Sequence, residues 1–203
     1  MKEVFFVTAT NTDVGKSYAS KIFLEKFAKE NKKVGYFKPI ETGVDTLPQD
    51  GLKLLKIVQN LNPYFTVDLK EVVPYQFKLP AAPFVAKGDT KIDIQNLLQK
   101  AKNLLSYCDV LIVEGAGGLM VPIEQNYFMI DLIQEFQKQL HAKTILISPS
   151  NLGSINDTML SQTLLKNYNI NYEWYINLYK DKESFETVTL PFYKEYFNQI
   201  NYL

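Results

Sequence analysis

The sequence predicts an α/β protein built on a doubly wound, mostly parallel sheet with helices on both faces. Three observations lead there. Short apolar runs rich in β-branched and aromatic residues alternate along the chain with amphipathic segments. The runs show no polar alternation, as expected of strands covered on both sides. No repeat period and no linker-like run of Pro, Gly or Ser divides the 203 residues, so they read as one domain.

Residues 4–7, four apolar side chains in succession, read as the first buried strand. A helix follows over about 16–30, where Ala19, Ile22, Phe23 and Phe27 recur at spacings of three and four. Residues 34–37 make a second short strand, and a second helix starts near Asp50, with Leu54, Leu55 and Val58 on one face. From about 64 to 88 no helical pattern persists. Pro63, Pro74, Pro80 and Pro83 punctuate this part of the chain, which reads as a loop with one or two short extended pieces. Ile94, Leu97, Leu98, Ala101, Leu104 and Leu105 mark an amphipathic helix ending near Tyr107. The wholly apolar residues 110–113 are the next strand. Beyond it come a helix near 131–140, a strand at 144–147, a helix over about 154–167 and a strand near 174–178. In the tail, 184–190 reads as a further strand.

Composition narrows the function classes. Twenty-two basic against twenty-two acidic side chains leave a formal net charge of zero, so no bulk field draws the protein to nucleic acid or anionic lipid. At 46% hydrophobic residues the chain has apolar surface enough for a real core. The apolar run at 4–7 is too short for a signal-peptide core or a membrane span, and a soluble, cytoplasmic protein is expected. A single cysteine, Cys108, forms no intrachain disulfide and no zinc cluster, which fits a reducing compartment. Cys108 reads as a packed thiol and the lone His141 as a surface imidazole, since neither has a catalytic partner in its local sequence.

In doubly wound sheets ligands sit beyond the carboxyl ends of the strands. Directly after the first strand stands Thr8-Ala9-Thr10-Asn11-Thr12-Asp13-Val14-Gly15-Lys16-Ser17, opening the first helix. This resembles a P-loop. Backbone N–H groups of such a loop cradle phosphates at a helix amino end, the lysine reaches the β and γ phosphates, and the hydroxyl holds magnesium. The standard spacing wants glycine at Thr10, and the nearest small residue is Ala9. Alanine tolerates positive φ less well than glycine, so the start of the loop is expected to differ.

Magnesium on a nucleotide needs hard oxygen ligands beside the phosphates. Glu114 follows the strand at 110–113 and leads into Gly115-Ala116-Gly117-Gly118, whose glycines allow a backbone to approach a ligand closely. Lys38, at the end of the second strand, points to the same crevice as Lys16 and suits charge developing on a transferred phosphoryl group. Asp50 reads either as a helix N-cap or as a further carboxylate of the site.

Taken in order, residues 8–17, then Val34-Gly35-Tyr36-Phe37-Lys38-Pro39-Ile40-Glu41-Thr42-Gly43, then Val113-Glu114-Gly115-Ala116-Gly117-Gly118, then Asn151-Leu152-Gly153-Ser154-Ile155-Asn156, resemble the dethiobiotin synthases of biotin biosynthesis. The resemblance covers about residues 2–177. It implies a P-loop NTPase-like fold with a largely parallel seven-stranded sheet, a homodimer, and ATP and magnesium. It implies a reaction that joins carbon dioxide to 7,8-diaminononanoate and closes a cyclic urea through a carbamate and a carbamic-phosphoric anhydride. By this resemblance Lys16, Lys38 and Thr12 serve the chemistry, and Asp13, Val14, Gly15, Lys16, Ser17 and Tyr18 hold the nucleotide with Glu114 and Asn177. Ser17, Asp50 and Glu114 surround magnesium, while Thr42 and Gly115, Ala116, Gly117 and Gly118 line the substrate site. Asn156 resembles a residue that reaches the substrate carboxylate across the dimer interface.

The tail departs from that family. Asn177 resembles its purine-contacting asparagine and Leu190-Pro191-Phe192 a later base-side segment, but few residues separate them. A reduced base pocket and relaxed base selectivity are expected. Two rivals are weaker. Partitioning-type P-loop ATPases, which act as nucleotide-dependent switches, carry an extra lysine where this chain has Asn11. Amidating or cobalamin-pathway ligases usually add a glutamine-hydrolysing domain with a catalytic cysteine, for which this chain has neither length nor a suitable Cys.

Overall fold

The computed structural model describes residues 2–179 and 182–203. Its centre is a six-stranded sheet in the order β10-β9-β8-β1-β5-β2, parallel throughout. The strands are β1 (Glu3–Ala9), β2 (Val34–Phe37), β5 (Val110–Gly118), β8 (Lys143–Pro149), β9 (Tyr172–Asn177) and β10 (Asn201–Tyr202). Strands β1, β2, β5 and β8 are buried almost end to end, which is why they read as largely apolar runs. Strand order reverses at β1, since the chain travels outward from it to β2 and β5 on one side and to β8, β9 and β10 on the other. That switch point opens a crevice at the carboxyl ends of β1 and β5.

Neighbouring side chains on β1 show how both faces are covered. Phe5 packs on Phe27 of α1 (Lys16–Lys29) at a centroid separation of 4.9 Å, and Phe6 meets Phe136 of α6 (Met129–Leu140) edge-on at 5.3 Å. Successive strand residues face opposite ways, so α1 and α6 lie on opposite faces. Helices α2 (Gln49–Leu61), α5 (Ile94–Leu104) and α7 (Ser154–Asn167) complete the layers.

The sheet has six strands rather than seven. After Lys38 the chain passes Pro39, which has no N–H for a ladder, and leaves the central sheet. Strand β3 (Ile40–Thr42) instead pairs in parallel with β4 (Tyr75–Phe77). The proline-rich stretch expected to be loop holds β4 and two short helices, α3 (Leu69–Val72) and α4 (Pro83–Ala86). Pro83 opens the latter, where a missing N–H costs nothing. A small antiparallel pair, β6 (Pro122–Glu124) and β7 (Tyr127–Phe128), precedes α6.

The tail corrects the expected strand at 184–190. It is helical, running through α8 (Lys182–Ser184), a π-helical turn Phe185–Thr189 and α9 (Leu190–Tyr196). Phe185, Thr189 and Tyr193 are buried at spacings of four, while Glu186, Thr187 and Val188 are exposed. That stripe is a helix face packed on the sheet, with Tyr193 edge-on to Trp174 of β9 at 5.0 Å. The β-branched Thr187, Val188 and Thr189 mimic a strand locally, but tertiary packing overrides their propensity.

Candidate active site

Strand β1 ends in Ala9, which is buried and extended within the strand. The substitution for glycine therefore carries no strain there. Positive φ falls instead on Asp13 (57°) and Gly15 (102°). Gly15 is the N-cap of α1, and no side chain caps this helix amino end. Its dipole and first-turn amides face the crevice, the arrangement that binds phosphate. A side chain at Gly15 is doubly excluded, by its φ and because a Cβ would come within 2.1 Å of Asn177 Nδ2.

The loop opens on a cavity of about 380 Å³ lined by Thr12, Asp13, Gly15, Lys16, Ser17, Lys38, Thr42, Asp50 and Glu114, with Gly115, Ala116 and Gly117. Twelve of the residues singled out in the sequence thus meet in one hollow. Ile40 and Glu41 complete its wall. Val14 is buried behind the loop, and Gly118 packs behind the wall. A Cβ on Gly118 would stand 2.9 Å from the carbonyl oxygen of Thr10, so a glycine lets β5 back directly onto the loop. Strand β5 runs on through Glu114 to Gly118 instead of stopping at Val113. Its pairing with β1 slips between Val7, opposite Glu114, and Ala9, opposite Gly118, so residues 115–117 bulge out of that ladder toward the cavity.

Glu114 is the hub. Its Oε1 accepts from Ser17 Oγ at 2.8 Å and from Lys38 Nζ at 2.7 Å. Its Oε2 accepts from Ser20 Oγ at 2.9 Å and from the Tyr36 hydroxyl at 3.0 Å. Burial alone would raise its pKa, but Lys38 and the hydroxyl donors outweigh that and hold it below the usual carboxylate range. Burial likewise disfavours the charge of Lys38, yet Glu114 and Asp50 keep its pKa above the ordinary lysine value. Asp50 Oδ2 lies 3.7 Å from Lys38 Nζ. Asp50 is not the N-cap of α2, which is Pro48. The buried carboxylate of Glu41 on β3 instead accepts from the backbone N–H groups of Asp50 (3.1 Å) and Gly51 (2.9 Å), leaving the Asp50 side chain to face the cavity.

Lys16 folds back on its own loop and donates to the Asn11 carbonyl at 3.1 Å. Burial lowers its pKa to about 8, against the pull of Glu114 and with the help of the nearby Lys38 charge. Sequence reasoning missed Tyr36, Ser20 and Glu41. Two had signals: Tyr36 stands two residues before Lys38 on an extended segment, and Ser20 lies one helical turn beyond Ser17.

Besides Val14 and Gly118, three expected residues lie away from this cavity. Tyr18 and Asn177 wall a neighbouring hollow. Asn156, in the first turn of α7, is exposed and donates to Asp157 Oδ1 at 3.2 Å. Leu190-Pro191-Phe192 opens α9 and does not wall the hollow beside Asn177. Cys108 is buried against the Leu104 carbonyl, and burial pushes its thiol up to about 12. His141 ends α6 as an exposed residue with φ 52°.

A parallel sheet with its switch point at β1, and a Gly-Lys-Ser loop running into an uncapped helix beside buried carboxylate and ammonium groups, define a P-loop NTPase-like protein. The AAA domain model matches residues 3–177. The ATP-dependent dethiobiotin synthetase BioD of Sulfurovum sp. (strain NBC37-1) is 47% identical over 193 residues, covering 95% of this chain and 90% of that one. The enzyme of the same name from Wolinella succinogenes is 37% identical over 193 residues, covering 94% and 88%. The chain belongs to the dethiobiotin synthetase family. Among solved structures, a plasmid partition protein of Borrelia burgdorferi covers 100% of this chain and 90% of its own, with a TM-score of 0.58 and 12% identity, a likeness of fold alone.

Proposed function

We propose that this chain, acting as one domain, is an ATP- and magnesium-dependent ligase that carboxylates 7,8-diaminononanoate and closes the ureido ring of dethiobiotin. The observation that carries the reading is the meeting of Lys16, Lys38, Asp50 and Glu114 in one cavity at the uncapped amino end of α1, in a chain 47% identical to a dethiobiotin synthetase. One amine of the substrate takes up carbon dioxide, and the carbamate oxygen attacks the γ-phosphorus with release of ADP. The second amine then attacks the carbamoyl carbon of the mixed anhydride and expels phosphate. No protein nucleophile is required. Alignment and charge neutralisation are, and two buried ammonium groups with loop amides are suited to both. Lys16 is assigned to the β and γ phosphates, and Lys38, held protonated by its carboxylate neighbours, to the γ-phosphate and carbamate. Thr12 and Asp13 are assigned to the path between phosphates and substrate, and Thr42 with residues 115–118 to the diamine.

The oxygens of Ser17, Asp50 and Glu114 fit a hard divalent cation, because Ser17 and Glu114 already touch and Asp50 lines the same cavity. Among the described residues no cluster of three acidic, His or Cys side chains forms a cage. Magnesium on a nucleotide uses one or two carboxylates and takes the rest from phosphate and water, and it supplies electrostatic stabilisation of the transferred phosphoryl. Asn156, exposed on α7, is assigned to the substrate carboxylate of a partner subunit, so the working form is a homodimer. No helix among the described residues is long and apolar enough to cross a membrane. A cytoplasmic site of action is assigned on the lone buried thiol, which fits a reducing compartment.

The test is direct. Purified protein with ATP, magnesium, bicarbonate and the diamine should yield the cyclic urea with matching ADP. Nucleotide hydrolysis indifferent to the diamine would favour a switch ATPase and sink the ligase reading. Lys16→Ala and Lys38→Ala should each lower turnover by orders of magnitude, and wild-type rates in either would remove that residue from the mechanism.

A further inference from the structure

The first turn of α2 carries Asp50 but has no cap of its own. Its N-cap residue, Pro48, has an extended backbone (φ −67°, ψ 105°) and no side-chain oxygen to accept a hydrogen bond. Asp50 and Gly51 follow at the second and third helical positions, whose N–H groups a capping side chain usually takes. Here both donate to Glu41, Asp50 to Oε1 at 3.1 Å and Gly51 to Oε2 at 2.9 Å. One carboxylate thus spans the helix end with an oxygen for each amide, from a strand nine and ten residues back. Glu41 is buried, and its charge suits the positive end of the helix dipole. Gly51 makes the close fit possible, since a Cβ there would stand 2.2 Å from Val73 Cγ2 and 3.2 Å from Glu41 Oε2.

The Asp50 carboxylate depends on such support. It is 51% exposed, and its 3.7 Å contact with Lys38 Nζ is loose beside the 2.7 Å that joins Lys38 to Glu114. Its place at the cavity is therefore set by the backbone that carries it. Glu41 is well anchored for that task, because it follows the buried Ile40 and pairs opposite Gln76 in the β3–β4 ladder. Resting on the magnesium reading above, we propose that Glu41 is a positioning residue for the phosphoryl site. By capping α2 from β3 it holds the Asp50 carboxylate at the cavity, beside Lys38, where the nucleotide-bound cation is assigned. Residues 38–41 then serve the site twice, with Lys38 directly and with Asp50 through Glu41.

Calorimetric titration of ATP with magnesium and with EDTA gives the factor by which the metal strengthens binding. Glu41→Ala should shrink that factor about two- to thirtyfold, the span that a lost helix cap commands. Asp50→Ala should shrink it too, and adding Glu41→Ala to Asp50→Ala should change it by less than about twofold, as for two residues acting as one unit. Pro48→Ser gives the extended N-cap residue an oxygen of its own and should recover most of the loss in Glu41→Ala. Glu41→Gln keeps the shape and one accepting oxygen; it should fall between wild type and Glu41→Ala, and it carries the same comparison if the alanine variant does not fold. In metal-free protein, hydrogen exchange at the Asp50 and Gly51 amides should quicken severalfold in Glu41→Ala and slow again with Pro48→Ser. A magnesium factor left unchanged by Glu41→Ala overturns the proposal, as does unaltered exchange at the two amides. Losses that add in the double variant also overturn it, because Glu41 would then act on the cation directly. A wild type that binds ATP equally well with magnesium and with EDTA would instead remove the magnesium reading, and this proposal with it.

Discussion

At the scale of single residues, the site is governed by two lysines with opposite electrostatic fates. Lys38 gains more from Glu114 and Asp50 than burial takes away and stays charged. Lys16 is left with a pKa of about 8 because burial dominates. Bound triphosphate would favour its ammonium form and raise that value. The sign then follows from linkage. Below pH 8 the free and bound proteins are both protonated and binding moves no proton at Lys16. Above pH 8 the free protein has lost a proton that the complex regains, so binding takes up to one proton and weakens as pH rises. Titration of ATP at pH 7 and pH 9 in two buffers of different ionisation enthalpy measures this, and an uptake that does not grow between them refutes it. Glu114 has a structural consequence as well. Glu114→Ala would leave Lys38 buried without its closest anion, together with three hydroxyl donors that now point at it. Removing one partner of a buried pair costs about 3–5 kcal/mol. Urea unfolding at neutral pH reads this loss, and a change under about 1 kcal/mol would show that the pair is worth no more than a surface bridge.

Among the elements, the tail carries the sharpest lesson. Residues 184–190 look like a strand because Thr187, Val188 and Thr189 are β-branched in succession. The stripe Phe185, Thr189, Tyr193 has helical spacing but spans a boundary at Pro191, beyond which a seven-residue reading does not look. The two readings differ in which side chains are inside. Phe185→Ala should cost about 3–5 kcal/mol, as for a fully buried aromatic, and Val188→Ala within about 0.5 kcal/mol. Comparable losses at both positions, measured by urea unfolding, would contradict the helix. Strand β5 offers a parallel case. The apolar run ends at Val113, ahead of Glu114 and its glycines, yet the strand continues through them with a bulge against β1. Glycine signals freedom of the backbone, and only the neighbouring strand decides whether that freedom makes a turn or a bulge.

For the whole molecule, a ligand that binds only the folded state must stabilise it. ATP with magnesium at a hundred times its dissociation constant should add about 2.7 kcal/mol. For a chain of this size that raises Tm by roughly 5–10 °C, at about 2–4 °C per kcal/mol. The shift should vanish in Lys16→Ala, and a shift that persists in this variant would place the nucleotide elsewhere. Much of this architecture is legible in the chain itself. Buried parallel strands must be apolar on both faces, and a phosphate loop must follow a strand and open a helix, so periodicity and the Gly15-Lys16-Ser17 signal determined the fold class, the end of the sheet that works and most of the residues gathered there. Tertiary structure alone decided the pairing of those residues. Glu114 bonds Ser17, Ser20, Tyr36 and Lys38 because β1, β2, β5 and α1 converge, and no local pattern encodes contacts between residues 76 to 97 positions apart. It also decided that Ala9 is harmless, that Glu41 rather than Asp50 serves the amino end of α2, and that Tyr179 reaches back 166 residues to Asp13. Local chemistry selects conformation within a few turns of chain, whereas charge pairing and packing are settled only where distant segments meet.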